Sequence, residues 1–303
     1  MSAKLNLAAS VAARLLNRAR QEGSDYQALL TAYCLERFLF RVGASEKRNH
    51  FVLKGAMLLR LWSDQPYRAT RDLDLLRRGP GEQEAVRQDI LAILETPVGE
   101  DAVVFHGSAI QCESIRAEDE YAGIRVTLPA AVGNARIPLQ IDIGVGDAVW
   151  PDPEDCSYPT LLDFPSPDVL VYPREAVIAE KLEAIVVLGE RNSRIKDFFD
   201  LHYLATHFEF DRAVLGEAVR RTFSRRNTAI PAETPIGLTA AYWQNPSRQP
   251  QVRAFARRAG VDAPERPQEH FVQLLHDFLE PVLRDAQRQK TSKGTWATQG
   301  RWK

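Results

Sequence analysis

FVLKGAMLLRLW (residues 51–62) and RDLDLLRR (residues 71–78) are the stretches whose reading decides the fold. The first opens on a short apolar run, Phe51-Val52-Leu53, passes through Lys54-Gly55, and continues with helical spacing. The second alternates charged and apolar residues, which is the period of a strand. Residues i and i+2 of a strand point to one side, so Asp72 and Asp74 project together. Two carboxylates so close repel each other, and the arrangement becomes favourable when a divalent cation sits between them. A glycine between strand and helix lets a backbone approach phosphates closely, and the following helix N-terminus offers N–H donors. Taken singly, each feature has a plainer reading: an ordinary turn at Gly55 and two solvated acids at Asp72 and Asp74.

Outward from this centre, residues 6–42 read as two helices broken near Glu22–Tyr26, and 43–50 as a polar loop. Residues 82–98 read as a further helix. Three strand-like runs follow, at 102–118, 122–133 and 136–147, rich in Val and Ile and broken by Gly and Pro. The third holds Asp142 within Leu139-Gln140-Ile141-Asp142-Ile143, where an acid is out of place unless it serves a site or ends the strand. Asp142 is preferred as a third carboxylate over Asp147, which follows Gly146 in a turn. The proline-rich segment 151–173 reads as an irregular connector. Beyond Pro173 the pattern is helical, at 174–190, 193–208, 211–226, 233–245, 248–259 and 266–290, before a polar tail with two tryptophans. The fold class expected is α+β, organised as N-terminal helices (1–45), an α/β core (46–165) and a helical C-terminal region (166–303).

A second constellation lies in that helical region. Glu180-Lys181-Leu182-Glu183 sits on one helix and Arg194-Ile195-Lys196-Asp197-Phe198-Phe199-Asp200 opens the next. Asp197 and Asp200 are i,i+3 and share a face. Lys181 stands among Val177, Ile178, Leu182 and Ile185, so it must find an anion or extend to water. The plainer reading is an ion-pair network on two surface helices.

The composition narrows the classes. The chain has 303 residues, with 45% apolar and 26% charged residues, which excludes a disordered protein. No apolar run is long enough to span a membrane. The N-terminus lacks the pattern of a secretion signal, so a cytoplasmic protein is expected. Cys34, Cys112 and Cys156 form no close pair, which argues against disulfides or a cysteine-built zinc site. HExxH, GxSxG and P-loop patterns are absent from the sequence. The near-neutral net charge hides a split: residues 212–303 carry 16 Lys and Arg against 8 Asp and Glu, while residues 1–211 carry 23 against 32. A basic C-terminal third beside an acidic remainder suits a polyanionic partner.

A strand–glycine–helix turn and an Asp-x-Asp strand, with fifteen residues separating Ala56 from Asp72, resemble the signature of the DNA polymerase beta-like nucleotidyltransferase superfamily. Together with IDI, EKLEA and RIKDFFDL downstream, they closely resemble the AbiEii/AbiGii nucleotidyltransferase toxin family, which includes the mycobacterial MenT toxins. Ala56 departs from that family's usual Gly or Ser; alanine keeps the backbone donor and loses a hydroxyl. The resemblance implies a polymerase beta-like core with a small mixed sheet, and a toxin neutralised by a cognate antitoxin protein. It implies transfer of nucleotides from an NTP to an RNA acceptor, notably the tRNA 3′ end, with two Mg2+ ions. By the same resemblance Asp72, Asp74 and Asp142 would bind metal, and Lys181 would meet the triphosphate. Asp197 or Asp200 would orient Lys181 or assist the base. Lys54, Gly55, Ala56 and Arg71 would contact the nucleotide. Arg220, Arg221, Arg225, Arg226, Arg253, Arg257 and Arg258 are the basic residues expected to hold RNA. Two other readings keep the same fold: nucleotidylation of a protein or small-molecule hydroxyl, and a catalytically silent RNA-binding member.

Overall fold

A computed structural model describes residues 2–63, 70–117, 120–259, 269–298 and 300–303. The chain divides into two compact units, one formed by Met1–Gly146 with Glu154–Val171, the other by Asp147–Pro153 with Tyr172–Lys303. The expected segments 1–45 and 46–165 thus fall together in the first unit, except for residues 147–153.

The first unit contains helices α1 (Ser2–Glu22), α2 (Tyr26–Ala44), α3 (Leu58–Trp62) and α4 (Gln83–Glu95). Its strands are β1 (Phe51–Lys54), β2 (Asp72–Arg77), β3 (Val103–Phe105), β4 (Gln111–Ala117), β5 (Glu120–Val132), β6 (Ala135–Val145), β7 (Glu154–Ser157) and β8 (Asp168–Val171). They form one mixed sheet in the order β3-β5-β6-β2-β1-β8-β7, with β4 also paired to β5. The pairs β2/β6 and β1/β8 are parallel and the rest antiparallel. The fold class is α+β, as expected, but eight strands make the sheet larger than the small one foreseen.

Local chemistry explains the elements that frame the site. Asp25 caps α2 by accepting from the Ala28 N–H at 2.7 Å. The helix is buried on nearly every side, and the charges of Glu36, Arg37 and Arg41 are paired inside: Arg37 with Glu36, and Arg41 with Asp101. It packs against β6 and β8. Strands β5 and β6 are joined by the two-residue turn Gly133-Asn134, where Gly133 takes φ +58°.

Three sequence expectations need correction here. The run 102–118 is not one strand; a 3-10 turn at Gly107–Ala109 splits it into β3 and β4, which pair with successive parts of β5. The connector 151–173 contains β7 and β8, four residues each, too short among prolines to show a period. The helix expected after Gly55 is a 3-10 turn (Gly55–Met57) followed by only five residues of α3.

The second unit is mostly helical: α5 (Arg174–Leu188), α6 (Ile195–His207), α7 (Arg212–Arg225), α8 (Ala240–Gln244), α9 (Arg248–Ala259) and α10 (Glu269–Gln287). The helix expected over 233–245 reduces to a 3-10 turn at Ile236–Leu238 and the short α8. Of the helix expected over 266–290, residues 266–268 lie outside the described residues. The polar tail is not a loose end: β10 (Thr295–Ala297) and β11 (Arg301–Trp302) form a hairpin that joins β9 (Phe210–Asp211) in a small antiparallel sheet. Trp296 is fully buried there, and its indole N–H donates to the Ala205 carbonyl at 2.7 Å.

Candidate active site

One row of charged residues crosses five strands of the first unit. Register places Lys54 opposite Asp74, Asp74 opposite Asp142, Asp142 opposite Arg125, and Arg125 opposite Glu113. Opposed residues on neighbouring strands share a face, and Asp72, two residues before Asp74, joins them. The alternating residues Leu73, Leu75, Ile141 and Ile143 are buried in the core, so the acids occupy the other face. Along this row the charges run plus, minus, minus, plus, minus. Asp74 and Asp142 are its one pair of like-charged neighbours, on strands separated by about 4.8 Å. Like charges directly opposed are destabilising, and that is where a cation would be favoured.

Of the two candidates for a third carboxylate, Asp142 is therefore the one that stands beside Asp74. Asp147 belongs to the second unit, 3.3 Å from Arg226.

Gly55 is fixed by the site itself. Its φ is +72°, and a Cβ added there would fall 1.9 Å from Asp74 Oδ2. Both conditions admit only glycine. The close approach that this glycine permits is to the Asp74 carboxylate. Ala56 is buried. The Asp72 backbone is held by Thr70, whose hydroxyl accepts from the Asp72 N–H at 3.3 Å and donates to its carbonyl at 3.1 Å. Arg71 precedes β2 and is 73% exposed, 3.8 Å from Asp25.

Arg125 was not singled out by the sequence. Its Nε and Nη2 donate to Oδ1 and Oδ2 of Asp142, both at 2.8 Å. Gln140 Nε2 adds a longer bond to Oδ2 at 3.2 Å. The hydrogen bond to Asp142 chiefly holds the Arg125 guanidinium above its already high pKa, with Asp142, Asp72 and Glu113 also contributing by charge. Arg125 lies at an outward position of the alternating run Gly123–Leu128. The pairing that makes it part of the site is a property of register, which the run does not encode.

Asp72, Asp74 and Asp142 are hard oxygen donors on one face, which suits a hard divalent cation in chemical kind. In their present positions no three His, Cys, Asp or Glu side chains among the described residues stand together as a ligand set. Both oxygens of Asp142 are turned to Arg125.

The second unit holds the other constellation, and there the sequence-predicted residues do meet. Lys181 donates to Asp197 at 2.7 Å and to Asp200 at 2.6 Å, and Arg194 Nε lies 2.7 Å from Asp197. The two carboxylates are almost wholly buried, at 1% and 3% exposure. Burial alone would raise the pKa of Asp197, but Lys181 and Arg194 outweigh it and the pKa is lowered. Asp200 has its pKa raised well above the usual carboxylate range by burial.

The arginines assigned to RNA divide. Arg226 is a correction: its side chain is only 8% exposed and lies within ion-pair distance of Asp147, Glu180 and Glu183. Burial would lower its pKa, yet these three carboxylates drive it upward. Arg220 and Arg221 both pair with Glu217, and Arg221 also lies over the Trp150 ring, 3.9 Å from its centroid. Arg225, Arg253 and Arg257 are exposed. The Arg258 side chain lies outside the described residues. Among the described residues no helix is long and apolar enough to cross a membrane.

Comparison with known proteins gives a family model described as nucleotidyl transferase AbiEii toxin, Type IV TA system, which matches residues 37–290. No curated protein matches the chain. Two solved structures from Helicobacter pylori are similar. One, provisionally described as a nucleotidyltransferase, is 16% identical, with 85% of this chain and 98% of that chain covered and a TM-score of 0.46. The other, JHP933, is 15% identical, with 88% and 98% covered and a TM-score of 0.45.

Proposed function

The chain belongs to the AbiEii nucleotidyltransferase toxin family of type IV toxin–antitoxin systems, and on that premise we propose that it transfers nucleotides from an NTP to an RNA 3′-hydroxyl. The proposed acceptor is tRNA, whose modified end would no longer accept an amino acid. The observation that carries this reading is the juxtaposition of Asp74 and Asp142 on adjacent parallel strands, with Asp72 on the same face. Phosphoryl-type transfer needs charge neutralisation and in-line placement more than covalent chemistry, and three carboxylates on one face are the equipment for it.

Asp72 and Asp74 would hold Mg2+, with Asp142 as third ligand or as base for the attacking hydroxyl. When bound, the metal supplies a more acidic hydroxyl nucleophile and neutralises charge on the departing oxygen. Gly55 keeps the β1–α3 turn against Asp74, and Lys54 places a positive charge opposite it. In the second unit, Lys181 is proposed as a cation for the triphosphate. Asp197 and Asp200 fix its position, a positioning role. Arg225, Arg253 and Arg257 are the exposed residues proposed to grip RNA, and a cognate antitoxin is the proposed protein partner.

The test is a transfer assay with purified full-length chain, each α-labelled NTP in turn, Mg2+, total tRNA and cell lysate. Label in RNA is expected. Asp72→Asn and Asp74→Asn should each lower transfer by about three orders of magnitude, the scale of losing an electrostatic group at the reaction centre. Label that runs with protein would move the acceptor to a protein hydroxyl. Full transfer by either variant would remove the assigned site.

A further inference from the structure

The row of charges contains an arrangement that nucleotide transfer alone does not explain. Asp142 is the acid directly opposite Asp74, yet both of its oxygens are engaged by one guanidinium on the other side, at 2.8 Å each. Side-on pairing of this kind is the strongest geometry available to an exposed arginine. A guanidinium cannot lose its proton to leave the site. It can be displaced only by a better cation for Asp142 or drawn off by a better anion for itself.

Both competitors belong to the reaction. A divalent cation carries twice the charge and seeks the same carboxylate. Phosphate oxygens match the fork of an arginine as well as a carboxylate does. Arg125 is 42% exposed, against 22% for Asp142, so the guanidinium stands on the solvent side of the pair and has room to turn. The surroundings favour an anion that replaces Asp142: Asp72 and Glu113 already act on Arg125 by charge, and with Asp142 neutralised by a metal the guanidinium needs a new partner.

We propose that Arg125 is an electrostatic latch. It keeps the Asp142 carboxylate turned toward β5 and so keeps the three carboxylates from gathering as a metal site. When the nucleotide arrives with its metal, Arg125 exchanges Asp142 for phosphate oxygens of the triphosphate. The carboxylate is released to the metal in the same exchange. The latch makes cation binding depend on the nucleotide, so an idle enzyme does not assemble its metal site. This inference rests on the assignment of Asp72, Asp74 and Asp142 as the metal face.

The experiment measures Mn2+ binding to the full-length chain without nucleotide, by titration calorimetry or by the loss of the free Mn2+ signal in electron paramagnetic resonance. Arg125→Ala should bind Mn2+ about tenfold more tightly than the natural chain, the scale of removing one nearby unit charge at intermediate dielectric. The gain should vanish in Arg125→Ala with Asp142→Asn, because the two residues are coupled through one pair. ATP binding measured with Ca2+ should weaken about tenfold in Arg125→Ala and less in Arg125→Lys, which keeps the charge but not the fork. Thermal unfolding of each variant confirms a folded chain, and Arg125→Gln replaces alanine should that variant not fold.

Unchanged or weaker Mn2+ binding in Arg125→Ala would overturn the latch and leave Arg125 as a support for Asp142. The separate control is Asp72→Asn. If it loses Mn2+ binding while Arg125→Ala shows no gain, the metal face stands and the latch falls. If Asp72→Asn binds Mn2+ like the natural chain, the metal face itself is wrong.

Discussion

Asp142 and Asp197 make a useful pair. Each is an aspartate bonded to a basic side chain, and each sits in a short sequence of alternating or helical period. Asp142 lies on a sheet face and is 22% exposed; Asp197 lies at the start of α6 and is 1% exposed. The first has one guanidinium and an acidic neighbour opposite it. The second has two cations, Lys181 and Arg194, and a second acid that shares the lysine. An exposed pair contributes little to stability and can exchange partners. A buried one is costly to disturb, because a charge left unpaired inside has no water to replace its partner. The two regions differ in what they can do: the sheet face can rearrange around a ligand, and the helical cluster keeps one arrangement.

Asp197→Ala removes the buried anion that Lys181 and Arg194 share and should cost about 3–5 kcal/mol of stability, read from urea unfolding. Asp74→Asn should change stability by no more than about 1 kcal/mol while transfer collapses. Equal stability losses at the two sites would erase the distinction between an exchangeable face and a fixed cluster.

Gly55→Ala tests whether the sheet face has its own rigid point. The left-handed backbone costs a residue with a Cβ about 1–2 kcal/mol, and the new Cβ must move the Asp74 carboxylate. Transfer should fall about 100-fold, as expected when a reacting group is displaced by about 1 Å. Activity close to that of the natural chain would show that Asp74 tolerates displacement.

The helical unit should also respond to acid through His202. Burial lowers its pKa from 6.5 to about 4, and the ring stacks on Phe271 at 4.7 Å. Between those two values the unfolded chain takes up a proton that the folded chain refuses. Its contribution to stability is therefore complete above pH 6.5, falls as the pH drops through this window, and levels off below pH 4. The loss should be at most about 3 kcal/mol, and His202→Gln should remove it in unfolding curves at pH 7.5 compared with pH 4.5.

The smallest stability effect is expected at the exposed basic surface. Arg253→Ala and Arg257→Ala should leave unfolding within about 0.5 kcal/mol, and together should reduce the salt dependence of tRNA binding. A salt slope that does not change would place RNA contact elsewhere.

Much of the sheet-face site was legible from the sequence because its signals are local. The Asp-x-Asp alternation placed Asp72 and Asp74 on one side of β2, and the apolar neighbours of Asp142 placed it within a strand. The glycine was legible as a turn, but its close neighbour was not. Arg125 was invisible, since only the β5–β6 register joins it to Asp142. Arg226 misled for a related reason: an arginine in a basic run looks like surface, and only packing revealed three acids around it. The tail misled too, because the polar residues about Trp296 and Trp302 concealed a hairpin that buries the first of them.

Local periodicity determined which residues share a face of a strand or helix, because backbone geometry repeats within a few residues. That was enough to read the α+β class and the acids on each element. Tertiary structure decided which strands lie side by side, which charges meet, and whether they meet in water or inside the protein. Those outcomes depend on register and burial, and both arise from contacts between residues far apart in the chain.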